Sequence, residues 1–371
     1  MAGGTPRALG STLLAALMVL QAASAVAAPW SVLFDHGGLF DETRSLRAVQ
    51  LSADEATLYI GWLHGPAQRG VWRLDAHTYG TVLSTYDLGT IQANAIATDD
   101  RGYVYIGYGE NGGGLMEIRN ATLASQIAGP FTGGNTTDVE GLDIWKDGAN
   151  NYFLYVSRMN GVVERYDVND PSAPALDTSW ATGGVFTVND RQLRGLALDG
   201  AGTLFVAQRD TSDDDRVGYV YRISPSLDMT SIEVTGAMDV AFYGGNIYVS
   251  QYLGFDSAIQ VFRADDLSYV ETILTGIARQ EDDWGYSGLD IGETGGWFYM
   301  SDQWYDVEGT GPDKQYHDRI LTTFPIEQGE PIPEPGTLAL LAAAGLGLVR
   351  RSAASRRPGL AAGRRRRTQP G

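Results

Sequence analysis

Short apolar segments recur along most of this chain at regular intervals. One such segment carries an aromatic residue at its centre, and these aromatic residues are Tyr59, Tyr105, Tyr155, Phe205, Tyr248 and Tyr299. The intervals between them are 43 to 51 residues. Each segment has the length of a β-strand and is bounded by Gly, Asp and Asn residues, which favour turns. The pattern therefore indicates an internal repeat built from strands.

Each of the six repeat units contains further strands at matching positions. One apolar strand precedes the aromatic segment, a third strand follows it, and most units end in a weaker fourth strand. The first strands contain Leu46, Asn94, Glu140, Arg194, Met238 and Ser287 at or near their starts. Six units of four short strands predict an all-β fold, a six-bladed β-propeller with four-stranded blades. The aromatic residues are then expected to fill the wedge between neighbouring blades.

The last repeat unit runs out of residues for a fourth strand after Ile326. An early apolar segment, WSVLF at residues 30–34, has no partner in its own unit. We predict that this segment pairs with the last blade and closes the ring, because closure removes the exposed edge that an open sheet would leave.

In spacing and strand order, residues 30–326 resemble the six-bladed group that includes the NHL, SMP-30-like and phytase-like propellers. This resemblance implies the fold and leaves the activity open, because one fold carries many functions. An SMP-30-like hydrolase would be expected to hold one divalent cation with a carboxylate and with Asn and Asp ligands.

The beginning of the chain has a composition of its own. Residues 1–27 contain a single Arg, then an apolar run, then small residues that include Ala25 and Ala27. This order is typical of a secretory signal peptide, which signal peptidase would remove near Ala28. We therefore expect the propeller domain to cover residues 28–330. The chain has no Cys, which excludes disulfides, thiolate catalysis and Cys-ligated metals.

The charge of the chain is distributed unevenly. Nine of its 27 Lys and Arg residues lie in the signal peptide and the C-terminal tail, so residues 29–330 carry 18 basic against 44 acidic residues, a net charge of −26. A surface this acidic repels nucleic acid and favours solubility and cation binding. We expect no nucleic-acid partner.

The end of the chain contains a short apolar run between two polar motifs. Pro333, Glu334 and Pro335 precede it, and Arg350 and Arg351 follow it. This order resembles the PEP-CTERM sorting signal of Gram-negative bacteria. The resemblance implies recognition by an exosortase and release or transfer to the cell surface or the extracellular matrix, including that of a biofilm. The partners there would be extracellular polysaccharide or another surface protein.

We assign residues 331–351 to this sorting signal, with a short transmembrane helix that anchors the protein in the inner membrane before sorting. Residues 352–371 form a basic tail that we expect to be disordered. The alternative is an unprocessed membrane anchor, because arginines on the cytoplasmic side suffice to hold a short apolar helix.

The starts of the innermost strands of a propeller lie at the mouth of the central channel, where ligands bind. The candidate ligand-binding residues there are Arg47, Asn94, Glu140, Arg194 and Ser287, with Met238 or, after a one-residue slip, Asp239 in the fifth unit. Glu140 and Asn94 suit a metal site, whereas two arginines would repel a metal. The arginines could instead pair with Glu140 and plug the channel, or bind a phosphate or carboxylate ligand.

These alternatives differ in what the channel should contain. Convergence of Glu140 and Asn94 with Asp143 or Asp239 at metal-ligand distance would favour a metal-dependent hydrolase of the phytase or lactonase kind. The segment from Asp138 to Ser157 resembles the acidic, glycine-containing strand starts of phytase-like propellers. Arginines that fill the channel would favour a binding or structural protein.

Two acidic segments are candidate calcium sites. Their residues are Asp210, Asp213, Asp214 and Asp215 in one segment, and Glu281, Asp282 and Asp283 in the other. Clustered carboxylates suit calcium, although neither segment has the spacing of an EF-hand loop and solvated turns are the alternative. The motifs of zinc proteases and of serine hydrolases do not occur in the sequence. Calcium is thus the one cofactor that the sequence suggests.

Overall fold

The computed structural model of the protein describes residues 30–35, 46–62, 69–109, 112–189, 191–209, 217–253, 257–275, 285–294, 296–308 and 315–323. The regular elements within these ranges are β-strands, and they form six antiparallel sheets. Each sheet is one blade of a propeller, so the prediction of an all-β, six-bladed propeller is confirmed.

The strands follow one another outward from the axis in each blade. Blade 1 contains β2 (Leu46–Leu51), β3 (Thr57–Trp62), β4 (Arg69–Asp75) and β5 (Val82–Gly89). Blade 2 contains β6 (Ala93–Thr98), β7 (Tyr103–Tyr108), β8 (Met116–Asn120) and β9 (Gln126–Phe131). Blade 3 contains β10 (Val139–Lys146), β11 (Tyr152–Arg158), β12 (Val162–Asp167), β13 (Ala175–Leu176) and β14 (Val185–Thr187).

The second half of the ring repeats this order. Blade 4 contains β15 (Leu193–Leu198), β16 (Leu204–Arg209), β17 (Gly218–Ile223) and β18 (Met229–Glu233). Blade 5 contains β19 (Ala237–Tyr243), β20 (Asn246–Gln251), β21 (Ile259–Arg263) and β22 (Tyr269–Ile273). Blade 6 contains β23 (Gly285–Ile291), β24 (Phe298–Glu308), β25 (Gln315–Thr323) and, from the start of the chain, β1 (Ser31–Asp35).

The six recurring aromatic residues lie between the blades, as predicted. Each belongs to the second strand of its blade and is at most 5% exposed. Tyr59 of blade 1, for example, packs in a cluster with Val104 and Ile106 of blade 2. Tyr299 of blade 6 packs in a cluster with Leu46 and Ile60 of blade 1. Burial of these rings between sheets supplies much of the apolar contact that holds neighbouring blades together.

The N-terminal strand closes the ring. β1 pairs in antiparallel register with β25, and the peptide N–H of Gly80 in blade 1 donates to the carbonyl of Leu33 at 3.0 Å. Leu33 and Phe34 are buried in the cluster between blades 6 and 1, and the ring of Phe34 meets that of Trp72 edge-on at 5.8 Å. The predicted role of residues 30–34 is confirmed.

The innermost strands share one irregularity. Each of β2, β6, β10, β15, β19 and β23 has a register shift near its start in its pairing with the second strand of its blade. Such a bulge re-aims the side chains next to it. The irregularity repeats at matching positions, so all six strands present their first residues to the axis in the same way.

Several predictions lie outside the described residues. These are the signal peptide (residues 1–27), the sorting signal (residues 331–351) and the basic tail (residues 352–371). No helix long and apolar enough to cross a membrane occurs in the described ranges.

Ring closure can be tested at one buried and one exposed position of β1. Leu33→Ala should lower the free energy of unfolding by about 2–5 kcal/mol, because it leaves a cavity between blades 6 and 1, whereas Ser31→Ala, at an exposed position, should change it by less than about 0.5 kcal/mol. Urea unfolding followed by fluorescence measures both. Deletion of residues 30–35 should lower the melting temperature sharply, and an unchanged melt would contradict the role of β1.

Candidate functional site

The central channel is lined by the starts of the innermost strands, as the repeat predicts. Arg47, Asn94, Glu140, Arg194, Met238 and Ser287 occupy matching positions on the six strands and all line the same cavity. Asp239, the next residue along β19, lines it as well. We call these six matching residues the ring residues. Whether they bind a ligand stays a prediction.

Three charged ring residues form one buried ion cluster. The carboxylate of Glu140 on β10 accepts hydrogen bonds from Arg47 Nη2 on β2 and from Arg194 Nη1 on β15, the latter at 2.6 Å. Only 2% of the Glu140 side chain is exposed. The other carboxylate oxygen lies 3.4 Å from Asn94 Nδ2 on β6. The cluster thereby joins blades 1, 2, 3 and 4 across one end of the channel.

The cluster has more positive than negative charge. One carboxylate serves two guanidinium groups, and Arg194 Nη2 also donates to Gln192 Oε1 at 2.8 Å. Burial lowers the pKa of Arg47, with a smaller lowering from Arg194, while Glu140 raises it. The Arg47 guanidinium stays ionised at neutral pH because arginine starts from a very high pKa. At this end of the channel, both arginines form ion pairs with the carboxylate that a metal ion would need as a ligand.

The other two ring residues, Ser287 and Met238, are uncharged and lie outside the ion cluster. Ser287 Oγ donates to the carbonyl of Leu46 at 2.9 Å and lies 2.7 Å from Ser301 Oγ, which fixes β23 against β2 of the next blade. Met238 is buried and apolar. The structure therefore brings Arg47, Asn94, Glu140 and Arg194 together and leaves Ser287 in a separate contact.

A second set of charged residues, three aspartates, faces the channel deeper inside. Asp143 and Asp290 lie three residues beyond the ring on β10 and β23, and Asp239 lies one residue beyond it on β19. Each carboxylate accepts a hydrogen bond from the following peptide N–H of its own strand and another from the innermost strand of the next blade. The cross-blade donors are the peptide N–H groups of Leu198 to Asp143 (2.8 Å), Leu289 to Asp239 (2.9 Å) and Leu51 to Asp290 (2.6 Å).

These aspartates have strongly raised pKa values. Burial raises the pKa of Asp143 and of Asp239 to about 7 and that of Asp290 to about 8, against partial lowering by the backbone N–H donors. Asp143 and Asp239 add like-charge repulsion on Asp290, whereas Arg47 lowers the pKa of Asp239. The channel thus contains three carboxylates that exchange protons near neutral pH.

The sequence contains a signal for two of these aspartates. Asp143 and Asp290 stand in the same tetrapeptide, Gly-Leu-Asp-Ile, at the same point of two repeat units. Asp239 occupies a different position, which only the structure explains. Its carboxylate fills the place where a side chain on Gly195 would stand, since a Cβ there would come within 1.6 Å of Asp239 Oδ1. A glycine on β15 therefore makes room for an aspartate on β19.

The cavity has a volume of about 580 Å³ and extends from the ion cluster to the opposite ends of the innermost strands. Residues at that far mouth include Glu55, Asp100, Trp145, Lys146 and Glu293. The ammonium group of Lys146 lies 2.7 Å from Asp100 Oδ2. A cavity of this size lies in the range of small-molecule sites.

The metal-site predictions have two outcomes. In the described part of the chain, no three His, Asp or Glu side chains lie close enough together to hold a metal ion. Asn is not among these residue types, so the convergence of Glu140 and Asn94 with Asp143 or Asp239 stays a prediction. The two proposed calcium segments lie outside the described residues. They comprise Asp210, Asp213, Asp214, Asp215, Glu281, Asp282 and Asp283.

Comparison with known proteins supports the fold alone. No family model and no curated protein matches the chain. A protein of unknown function from Dyadobacter fermentans superimposes with a TM-score of 0.54 at 10% identity, covering 80% of this chain and 99% of that one. A provisionally named gluconolactonase superimposes with a TM-score of 0.50 at 14% identity, covering 81% and 94%. At such identities the likeness concerns the propeller and not its chemistry.

The ion cluster can be tested by removing its carboxylate. Glu140→Gln should lower the free energy of unfolding by about 3–5 kcal/mol, because it leaves buried arginines without their counter-ion. Urea unfolding measures the loss. The matched control is Glu293→Gln, at an exposed position of the far mouth, which should change stability by less than about 0.5 kcal/mol. Equal stabilities for the two variants would show that the cluster does not form.

The channel aspartates predict an unusual pH dependence. Their pKa values are raised on folding, so their contribution to stability is complete at low pH and is lost as the pH rises toward about 8. Each group can contribute a fall of at most about 1.4 kcal/mol per pH unit between about pH 5 and about pH 7. Urea unfolding across this range should show the decline. Asp290→Asn should flatten it and Asp265→Asn, at an exposed turn, should not; an identical slope in all three proteins would contradict the raised pKa values.

Proposed function

We propose that this protein is an exported, exosortase-sorted β-propeller of the cell surface or extracellular matrix, and that its role is binding rather than hydrolysis. The observation that carries the binding part is the cluster of Arg47, Glu140 and Arg194 at one end of the channel. The sorting part rests on the motifs at the two ends of the chain.

The ion cluster argues against a metal-dependent hydrolase at that end. A divalent cation there would compete with two guanidinium groups for the single carboxylate of Glu140 and would be repelled by both. Glu140 Oε2 already accepts hydrogen bonds from both arginines, and Oε1 faces Asn94. The site thus has the chemistry of a plug that ties blades together.

The far end of the channel supports a binding role. The cavity opens there, and its walls combine acidic groups with aromatic side chains such as Trp145 and Tyr152. Pockets of this kind orient ligands through a few polar groups and bury their apolar parts. The partner could thus be a small molecule, an extracellular polysaccharide or another surface protein.

The destination is supported by sequence motifs alone. Export follows from the signal peptide with Ala25 and Ala27 before the cleavage point. Sorting by an exosortase follows from the resemblance of residues 333–335, the apolar run and the following arginines to the PEP-CTERM signal. The membrane would then hold the protein only until sorting.

The alternative function is a metal-dependent hydrolase of the lactonase or phytase kind. The similarity to a provisionally named gluconolactonase points in that direction, but at 14% identity it identifies no catalytic residue in this chain. Such an enzyme would have to assemble its metal site away from the ion cluster.

Localisation in a Gram-negative host that has an exosortase tests the proposal. We expect the full chain to reach the surface or medium fraction without its C-terminal segment, as measured by fractionation and mass spectrometry. Replacement of Pro333, Glu334 and Pro335 by Ala should retain it in the inner membrane with the segment intact. Pro331→Ala, just outside the motif, is the matched control and should behave like the unchanged protein.

Activity measurements test the alternative function, a metal-dependent hydrolase. The full chain should hydrolyse neither phosphate esters nor lactones faster when calcium or zinc is added. Metal-dependent turnover by the folded protein would favour the hydrolase, and its persistence in folded Glu140→Gln would place the metal away from the ion cluster. Inner-membrane retention of the unchanged protein with its tail attached would favour the unprocessed anchor.

A further inference from the structure

We propose that the central channel is a binding site for a linear organic polyamine, which enters at the far mouth and reaches the level of Asp143, Asp239 and Asp290. This inference rests on the proposed binding role and gives it a ligand class. It starts from the charge, the layering and the unsatisfied polar atoms of the cavity.

The cavity is strongly acidic. Nine acidic and three basic side chains line it. Two of the basic groups, Arg47 and Arg194, share the carboxylate of Glu140, and the third, Lys146, is paired with Asp100. The remaining lining carboxylates include Asp143, Asp239 and Asp290 in the channel and Glu293 at the mouth. A cavity with low-dielectric walls and one sign of excess charge concentrates ligands of the opposite sign.

The acidic groups lie at successive depths. Residues along a strand are about 3.3 Å apart, so Asp239, one residue beyond the ring, and Asp290, three residues beyond it, stand at different levels. Among the described residues, Asp143, Asp239 and Asp290 do not form a three-carboxylate group that could hold one metal ion. Several ammonium groups separated by short alkyl spacers match such a staggered arrangement better than a single compact cation does.

The inner end of the cavity has an unsatisfied acceptor. Asn94 is only 3% exposed, and its Oδ1 has no hydrogen-bond donor among the described residues. An unsatisfied buried carbonyl oxygen costs free energy, which a donor from a ligand would recover. Asn94 lines the cavity beside Glu140, so an uncharged N–H or O–H donor at the inner end of a ligand would satisfy it, while the ammonium groups stay at the level of the aspartates, away from Arg47 and Arg194.

Two of the channel aspartates accept no hydrogen bond from a cationic side chain among the described residues. There, Asp143 accepts from the peptide N–H groups of Leu198 and Ile144, and Asp290 accepts from Gln50, Leu51 and Ile291. Their pKa values are raised by burial and by other carboxylates. A bound ammonium group would supply the missing countercharge and favour the ionised forms.

The mouth already displays the recognition that this ligand needs. The ammonium group of Lys146 contacts the Asp100 carboxylate and lies 5.1 Å from the centre of the Tyr152 ring. An aromatic face and a carboxylate together bind alkylammonium groups. Apolar side chains such as Ile96, Leu142 and Phe242 line the walls between and can cover the methylene spacers.

Calorimetric titration of the full chain with spermidine tests the inference. We expect saturable binding that weakens with salt. Asp143→Asn and Asp290→Asn should each weaken it roughly tenfold or more, because each removes a charge-assisted hydrogen bond. Glu293→Gln should weaken it roughly threefold. The matched control Asp265→Asn removes the same charge from an exposed turn outside the cavity and should leave the affinity unchanged.

Three outcomes would overturn the inference. One is no binding to a protein with the melting curve of a folded propeller. Another is binding that Asp290→Asn and Glu293→Gln leave unchanged, which would place spermidine on the acidic outer surface. The third is equally tight, equally variant-sensitive binding of magnesium, which would make the channel a metal site. None of them affects the sorting experiment or the hydrolase assay, so the proposed function would stand or fall separately.

Discussion

Six strands converge on the axis of this protein, and every side chain that faces the axis shares a narrow channel with those of the other five. The strands begin with the same bulge, so their first side chains meet at one level. Charged groups at that level must neutralise each other inside the protein, because little water reaches them. Arg47 and Arg194 share the carboxylate of Glu140, and this contact occupies one end of the cavity.

The fold could be predicted because its determinants are repeated. Tyr59, Tyr105 and their four counterparts recur at the spacing of a blade, and each performs the same packing task. Ring closure was predictable because residues 30–34 form a strand without a local partner and the last unit lacks one. The fourth strand of blade 3 was less predictable, since two short strands, β13 and β14, share its place beside β12.

The contents of the channel could be predicted only in part. Counting along each unit places Arg47, Asn94, Glu140 and Arg194 at one level, but not which of them pair, because pairing depends on distances across the axis. The repeat predicts Asp239 as an alternative to Met238, whereas the structure shows that both line the channel. Its position depends on the absence of a side chain at Gly195 in a different blade. A contact of this kind joins two repeat units, so it cannot be predicted from the residues of either unit alone.

The pairing of β1 with β25 has a consequence for the time at which this protein can fold. Ser31 and Thr322 are in contact across 291 positions of the chain, so β1 can pair only after β25 has been synthesised. Until β25 appears, the sixth sheet contains only β23 and β24, because β1 joins it through β25. The ring stays open until then, and a closure of such long sequence separation is slow. For the export proposed above, this delay would be useful. The chain would cross the membrane while blade 6 is incomplete, and the arrival of β25 on the far side would lock the propeller there.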